Sequence, residues 1–359
     1  MARALQLAER GRFSTHPNPR VGCVLVSDGE VVGEGFHERA GQGHAEVHAL
    51  AQAGEKAKGA TAYVTLEPCS HQGRTPACAK ALIEAGVAKV IAAMVDPNPQ
   101  VSGRGLKLLE EAGIATASGL MEAQAKALNP GFITRMTQQR PLVRLKMAGS
   151  LDGRTAMADG DSLWITGPEA RQDVQRLRAQ AGAIVTGIGT VLADDPSLNV
   201  RYEVPKTYAT PSRQPIRIIL DSRLQTPLDA KIINIEGQVV VFADKAAEPS
   251  RIQALQDKGV EVVLVDSDKN GLDLTAVMAE LAKREINECH LECGAKLAAA
   301  FVQAQLIDEM VYYMAPCFMG SLARPLLDLQ IDSMADKRPM RIGSMDRVGE
   351  DVRMVLKFK

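Results

Sequence analysis

One imidazole, at His44, and two thiols, at Cys69 and Cys78, are residue types that hold zinc. Three such ligands leave a fourth tetrahedral position for water, which zinc makes acidic near neutral pH. Glu46 stands two residues after the histidine and is not needed as a ligand. It is free to carry protons between that water and a bound molecule. His-x-Glu, then Pro-Cys, then a further Cys is the arrangement that directs water at a ring carbon bearing an amino group. That pattern usually separates its cysteines by two residues, whereas Ser70 to Ala77, eight residues, lie between them here. His48 competes as a ligand, four residues after His44 on the same helical face. Two-histidine zinc proteases place their glutamate directly after the first histidine, where this chain has Ala45, so His48 is read as a packing neighbour.

Each donor must be held by an element. His44 opens a helical pattern running to Ala53, so it sits at a positive dipole end. Ala62–Leu66 reads as a buried strand leading into Glu67-Pro68-Cys69. Thr75-Pro76 reads as N-cap and first residue of the next helix, which puts Cys78 in a first turn, where amides lower a thiol pKa. Upstream, a short helix over 2–10 precedes the loop Thr15-His16-Pro17-Asn18-Pro19, whose prolines forbid helix and present the Asn18 amide. Runs at 21–26 and 31–36 flank Asp28-Gly29, a hairpin signal. Strands at 89–95 and 114–117, with helices at 105–112 and 122–128, continue a β-α-β alternation and predict a mixed α/β sheet covered by helices. His16, His37 and His71 read as solvated loop or strand-end residues, with His71 near enough to the ligand loop to touch a substrate.

The polar stretch Thr137-Gln138-Gln139-Arg140-Pro141 marks a boundary, giving domains 1–140 and 141–359. Five of the six histidines fall in the first 71 residues, so the halves do different chemistry. The second half restarts with a strand at 142–147, a helix at 168–181, and strands at 183–186, 216–220, 239–242, 260–264 and 288–292. Helices at 251–258, 274–284 and 295–304 separate the later strands, and 310–315 and 352–358 close the chain as antiparallel strands. Gly187-Ile188-Gly189-Thr190 lets backbone approach a phosphate or is a plain turn; it lacks the third glycine of the dinucleotide fingerprint. Glu292-Cys293-Gly294-Ala295-Lys296 is an anion-binding helix start or a simple turn. Arg154, Arg171, Arg176, Arg178 and Arg201 are candidate phosphate partners, of which one or two are expected to act. Cys289 and Cys293 read as structural, with His290 on the opposite sheet face.

Lys and Arg number 42 against 43 Asp and Glu, a net charge of −1 that gives no general attraction to nucleic acid or anionic membrane. With no run of eighteen apolar residues, no signal peptide and only six cysteines, a cytoplasmic protein without a disulfide scaffold is expected.

Together these motifs resemble one family over the whole chain: the bifunctional riboflavin biosynthesis proteins, which fuse a diaminohydroxyphosphoribosylaminopyrimidine deaminase to a 5-amino-6-(5-phosphoribosylamino)uracil reductase. The resemblance is carried by Thr15 to Pro19, His44-Ala45-Glu46, Glu67 to His71 with Gly73 to Pro76, and Asp96-Pro97-Asn98-Pro99. In the second half it is carried by Ser150-Leu151-Asp152-Gly153, Trp164-Ile165-Thr166 and Gly189 to Pro196. The long cysteine spacing is what this branch shows. Two departures stand out: the chain opens a few residues later than family members do, and Ala77 replaces a proline often found there.

The resemblance implies a cytidine-deaminase-like first domain and a dihydrofolate-reductase-like α/β second domain. It implies Zn2+ on His44, Cys69 and Cys78 with Glu46 as proton shuttle. It places NADPH at Ala148, Trp164, Thr190, Asp194, Ser222 and Gly294, Ala295, Lys296, Leu297, Ala298, Ala299, Ala300. It places a small-molecule pyrimidine ribonucleotide at Ser162, Arg178, Leu198, Arg201 and Glu292, with no nucleic acid or membrane partner, in a homo-oligomer. Lys146 and Asp194 are candidates for acid or orienting roles in reduction. Rival expectations are a single-function tRNA or nucleoside deaminase with an unrelated C-terminal module, and a binding protein with closed structural zinc. Near-neutral charge opposes the first, and an unneeded glutamate beside only three ligands opposes the second.

Overall fold

The computed structural model describes residues 1–70, 77–99, 101–211, 213–269 and 271–358. It divides into two compact units, Met1–Arg140 with Glu203–Ser212, and Pro141–Tyr202 with Arg213–Lys359.

In the first unit the order is α1 (Ala2–Glu9), β1 (Gly22–Ser27), β2 (Glu30–Phe36), α2 (Ala45–Ala53), β3 (Thr61–Val64), α3 (Cys78–Glu84), β4 (Lys89–Ala92), α4 (Arg104–Glu111), β5 (Ala115–Ser118), α5 (Glu122–Leu128) and α6 (Pro130–Gln138). The sheet runs β2-β1-β3-β4-β5. β1 is antiparallel to β2 and β3, and the last three strands are parallel, so the sheet is mixed as expected. Asp28 and Gly29 both take positive φ, 51° and 83°, the turn whose twist matches a two-residue hairpin. Alanines 45, 49 and 53 of α2 and Leu82 of α3 pack on Leu25, Val64 and Val90. Such small residues let α2 lie close. A Cβ on Gly35 would fall 2.3 Å from the Ala45 carbonyl oxygen, so β2 needs glycine there for α2 to start where it does.

A helix not expected from the sequence, α6, starts at Pro130. Proline lacks only an N–H that a first turn leaves unpaired anyway. The expected cap at Thr75 and Pro76, and His71, lie outside the described residues. The stretch 203–212 also belongs to the first unit: the Ala209 N–H donates to the Arg10 carbonyl at 2.8 Å, Arg10 Nε to the Thr207 carbonyl at 3.2 Å, and Tyr208 meets Phe13 edge-on at 5.0 Å.

The second unit continues with β6 (Leu142–Ser150), β7 (Arg154–Ala156), α7 (Pro168–Gln180), β8 (Ala183–Gly187), α8 (Ile188–Asp194), β9 (Ile216–Leu220), α9 (Lys231–Asn234), β10 (Val239–Asp244), α10 (Pro249–Gln256), β11 (Glu261–Val265), β12 (Ser267–Asp268), β13 (Gly271–Leu272), α11 (Leu274–Lys283), β14 (Glu288–Glu292), α12 (Ala295–Gln303), β15 (Glu309–Ala315), β16 (Arg324–Pro325), β17 (Met340–Val348) and β18 (Asp351–Phe358). Its main sheet runs β11-β10-β9-β8-β14-β6-β15-β18-β17. It is parallel from β11 to β15 and antiparallel beyond. β14 inserts between β8 and β6, so chain direction across the sheet reverses there, the place where open α/β sheets bind ligands. β14 alternates as expected, with Cys289 and Leu291 in the apolar core. Gly35→Ala should push α2 off β2, cost about 1–3 kcal/mol as other overpacked sites do, and lower zinc content because His44 caps that helix. Thermal denaturation with metal analysis checks both.

Candidate active sites

In the first unit three chain segments bring their donors to one point. His44 is the N-cap of α2 and Cys78 the first residue of α3. Cys69 follows β3, and its carbonyl accepts the Ala79 N–H at 3.1 Å. His44 Nδ1 lies 3.1 Å from Cys78 Sγ and 3.7 Å from Cys69 Sγ, and all three donor atoms lie within 4.8 Å of one another. His48 is not among them.

Glu46 is 3% exposed, and its Oε2 has no hydrogen-bond partner. Burial pushes its carboxyl up to about 7, with the Cys69 charge adding to this; a bound cation acts in the opposite sense. A hydrogen bond from Cys78 holds the Cys69 thiol low, aided by His44, while Cys78 is pushed up in return. The soft donor set, its spacing and the orphaned carboxylate oxygen fit zinc with an open fourth position.

The sequence underrated His37. It is buried, and its ring meets His44 edge-on at 5.2 Å. Nδ1 donates to the Gly43 carbonyl at 3.1 Å, which leaves Nε2 to accept from Asn18 Nδ2 at 3.0 Å. Asn18 Nδ2 is thereby engaged as a donor, and its Oδ1 makes no hydrogen bond among the described residues. A histidine directly after the second strand of the hairpin, seven residues before His44, was the available signal.

In the second unit a cleft of about 1990 Å³ opens over the C-terminal ends of the parallel strands. It is lined by Ala148, Trp164, Thr190, Asp194 and Ser222, by Gly294 to Leu297, and by Ala300. Ser162, Arg178, Leu198, Arg201, Glu292 and Lys146 line it too. Ala298 and Ala299 do not: they are 0% and 3% exposed, turned inward where α12 packs. A nine-residue helical run must bury one face, so seven consecutive residues cannot all reach a ligand.

Gly294 caps α12 without a side-chain hydrogen bond, and a Cβ there or on Gly189 would meet nothing within 4 Å. Both backbones are open to the cleft, which with its size fits a dinucleotide phosphate. Trp164 is 70% exposed, under the Arg171 guanidinium at 4.4 Å. Of the five candidate arginines, Arg171, Arg178 and Arg201 line the cleft. Arg176 instead pairs with Asp173 at 2.6 Å, and Arg154 donates to the Ala323 carbonyl at 3.3 Å. Cys293 lines the cleft with its thiol pushed up by burial.

Arg178 grips Glu292 with two bonds, Nε to Oε1 at 2.5 Å and Nη2 to Oε2 at 2.9 Å. His290 Nε2 lies 3.3 Å below the same carboxylate. Lys146, the register partner of Glu292 on β6, makes no hydrogen bond or ion pair among the described residues, and burial lowers its pKa.

Residues 1–94 match the family model for the cytidine and deoxycytidylate deaminase zinc-binding region, and residues 141–353 match that for the RibD C-terminal domain. The riboflavin biosynthesis protein RibD of Escherichia coli (strain K12) is 52% identical, over 98% of this chain and 96% of its own. The chain belongs to the RibD family. RibD of Aquifex aeolicus is 43% identical, over 100% of this chain and 97% of its own. The structure of Acinetobacter baumannii RibD superposes with a TM-score of 0.92 at 47% identity, over 100% of this chain and 97% of that one. A Thermotoga maritima structure titled as a diaminohydroxyphosphoribosylaminopyrimidine deaminase and 5-amino-6-(5-phosphoribosylamino)uracil reductase reaches 0.86 at 32%, with the same coverage. The first unit thus carries the zinc-binding deaminase region, within which the His44–Cys69–Cys78 cluster lies, and the second carries the reductase domain of the family.

Burial opposes ionisation of Glu292, yet Arg178, joined by His290, outweighs it and holds the carboxyl well below its ordinary range. A depressed folded-state pKa gives stability that is present above the unfolded value of about 4.3 and is lost as pH falls through the folded one. Arg178→Met leaves that buried charge unpaired and should cost about 3–5 kcal/mol near neutral pH. The cost should shrink at pH 5, where the orphaned carboxyl takes up a proton. Urea denaturation at pH 5 and pH 8 checks this; a pH-independent cost would remove the ion-pair account.

Proposed function

We infer that this chain carries out two successive steps of riboflavin biosynthesis. The first is hydrolytic deamination of 2,5-diamino-6-ribosylamino-4(3H)-pyrimidinone 5′-phosphate. The second is NADPH-dependent reduction of the ribosyl group, giving 5-amino-6-ribitylamino-uracil 5′-phosphate. The observation that carries this is the pairing, on one chain, of the His44–Cys69–Cys78 cluster beside Glu46 with a dinucleotide-sized cleft.

Zinc, when bound, supplies an acidified water at its open position. Glu46 takes the water proton on its unpaired Oε2 and returns it to the ring nitrogen and the departing ammonia. Asn18 Oδ1, fixed by His37, offers an acceptor to a donor edge of the pyrimidine.

NADPH, when bound, supplies the hydride of the second step. The amides at Gly294 and the open backbone at Gly189 suit its phosphates, with Trp164, Thr190, Asp194 and Ser222 along the same wall. Arg201, whose side chain makes no hydrogen bond among the described residues, and Ser162 suit the substrate phosphate. Leu198 closes the wall, and the Arg178–Glu292 pair forms a fixed floor for the sugar hydroxyls. Lys146 holds a proton at Nζ for the ring oxygen or imine nitrogen, with Asp194 orienting. The substrate is a small molecule, the location cytoplasmic; no described helix is long and apolar enough to cross a membrane.

A single-tube assay following ammonia release and NADPH oxidation on the diaminopyrimidine ribonucleotide tests the reading. Glu46→Gln should keep zinc and lose ammonia release by at least about 100-fold, yet still oxidise NADPH when given the deaminated intermediate. Lys146→Ala and Asp194→Asn should do the reverse. Unchanged hydride transfer in both would make water the proton donor. Homo-oligomerisation belongs to the same reading. It is favoured by β17, an unpaired sheet edge with Ile342 and Met345 exposed. A light-scattering mass of one chain would remove it.

A further inference from the structure

Glu67-Pro68-Cys69 contains one more carboxylate than either chemistry uses. Glu67 is 3% exposed and lends no donor to the three-atom cluster. Its own N–H donates to the Met94 carbonyl at 2.9 Å, just past β4. Its carboxylate accepts four backbone N–H groups: Oε2 from Asp96 at 3.0 Å and Gly103 at 2.9 Å, Oε1 from Gly105 at 2.8 Å and Leu106 at 3.3 Å. Gly105 and Leu106 lie in the first turn of α4, whose amides have no partner within the helix. The N-cap there is Gly103, which has no side chain to serve them. Glu67 is therefore a cap delivered from another segment, with its charge at the positive end of the dipole.

The same contact pins the peptide that enters Cys69. A Cβ on Gly105 would lie 1.9 Å from the Pro68 carbonyl oxygen, so α4 presses directly on the Pro68–Cys69 peptide. On its other side Cys69 is tied to α3, by its carbonyl to Ala79 N–H and by its Sγ to Cys78 N–H at 3.3 Å. The ligand loop thus has two anchors, and Glu67 is the one that joins it to β4 and α4.

We propose that Glu67 is the positioning residue of the metal centre. By clamping α4 against the Pro68–Cys69 peptide it sets where Cys69 Sγ stands relative to His44 Nδ1 and Cys78 Sγ, and so governs how firmly zinc is held. The proposal rests on the zinc reading above. Glutamine in its place turns an NH2 group toward two N–H donors, whichever way its amide faces, and strands one pair of them. Aspartate keeps the charge but is one methylene too short.

The test measures zinc release from the full-length holoprotein to a chromophoric chelator, and the thiolate-to-metal absorption of the cobalt-substituted protein. Glu67→Gln should speed release by about 10–100-fold, the usual effect of losing a residue that orients a metal ligand, and should alter the cobalt band. NADPH oxidation with the deaminated intermediate should stay at the parental rate, because the second unit has its own core. Glu67→Asp should fall between the two. Parental release and a parental cobalt spectrum in Glu67→Gln would overturn the proposal. Should Glu67→Gln lose helix content, Glu67→Asp decides: faster release with intact circular dichroism supports the proposal and parental release overturns it. A parental chain that takes up no zinc would overturn the zinc reading itself.

Discussion

Three donor atoms from three separated segments must meet within 4.8 Å, and the first unit is arranged to make that possible. Free backbone could not hold them there, since ordering each residue costs about 1–2 kcal/mol. Each donor instead stands at a junction that packing has already fixed. His44 is where α2 begins on the glycine-bearing face of β2, Cys78 is where α3 begins, and Cys69 lies on the loop that follows β3, tied to α3 through the Ala79 and Cys78 N–H groups. Two helix starts bring positive dipole ends to one place, which favours the thiolates a metal needs. Metal affinity here is largely a property of how small residues allow helices to lie on a sheet.

The second unit solves a different problem with buried charge. One face of β14 and β6 carries His290, Glu292, Arg144 and Lys146, while the other carries Leu145, Cys289 and Leu291 in the apolar core. Arg144 bridges Glu288 and Glu309, and Arg178 closes on Glu292. Desolvating such groups is expensive, and each is retained beside an opposite charge. The exception is Lys146, which makes no hydrogen bond or ion pair among the described residues. Charges already paired are held in place by their partners.

Much of this was legible from residue types. The zinc donors, the Asp28-Gly29 hairpin, and β9 and β14 to the residue follow from spacing and periodicity, because each element carries its own local signal. What escaped was set by distant partners. β17 has only three partly buried residues among nine, so no alternation marks it as a strand. α6 starts at Pro130, and a proline's missing N–H is compatible with the end of one helix as well as the first turn of the next, so it marks neither by itself. Ala298 and Ala299 fall within a motif segment, yet helical geometry turns them to the core. His37 is polar in sequence and buried in space, because only the fold reveals that His44 covers it.

The excursion of residues 203–212 into the first unit changes what connectivity means for this chain. The backbone passes between the units at three points, not one: after Arg140, after Tyr202 and before Arg213. A protease nick at the first of these would cut only one of the three crossings. The Arg10 and Phe13 contacts to Thr207, Ala209 and Tyr208 would then lie between the two pieces. A gene split at that point would yield two polypeptides already equipped with a docking peptide for each other.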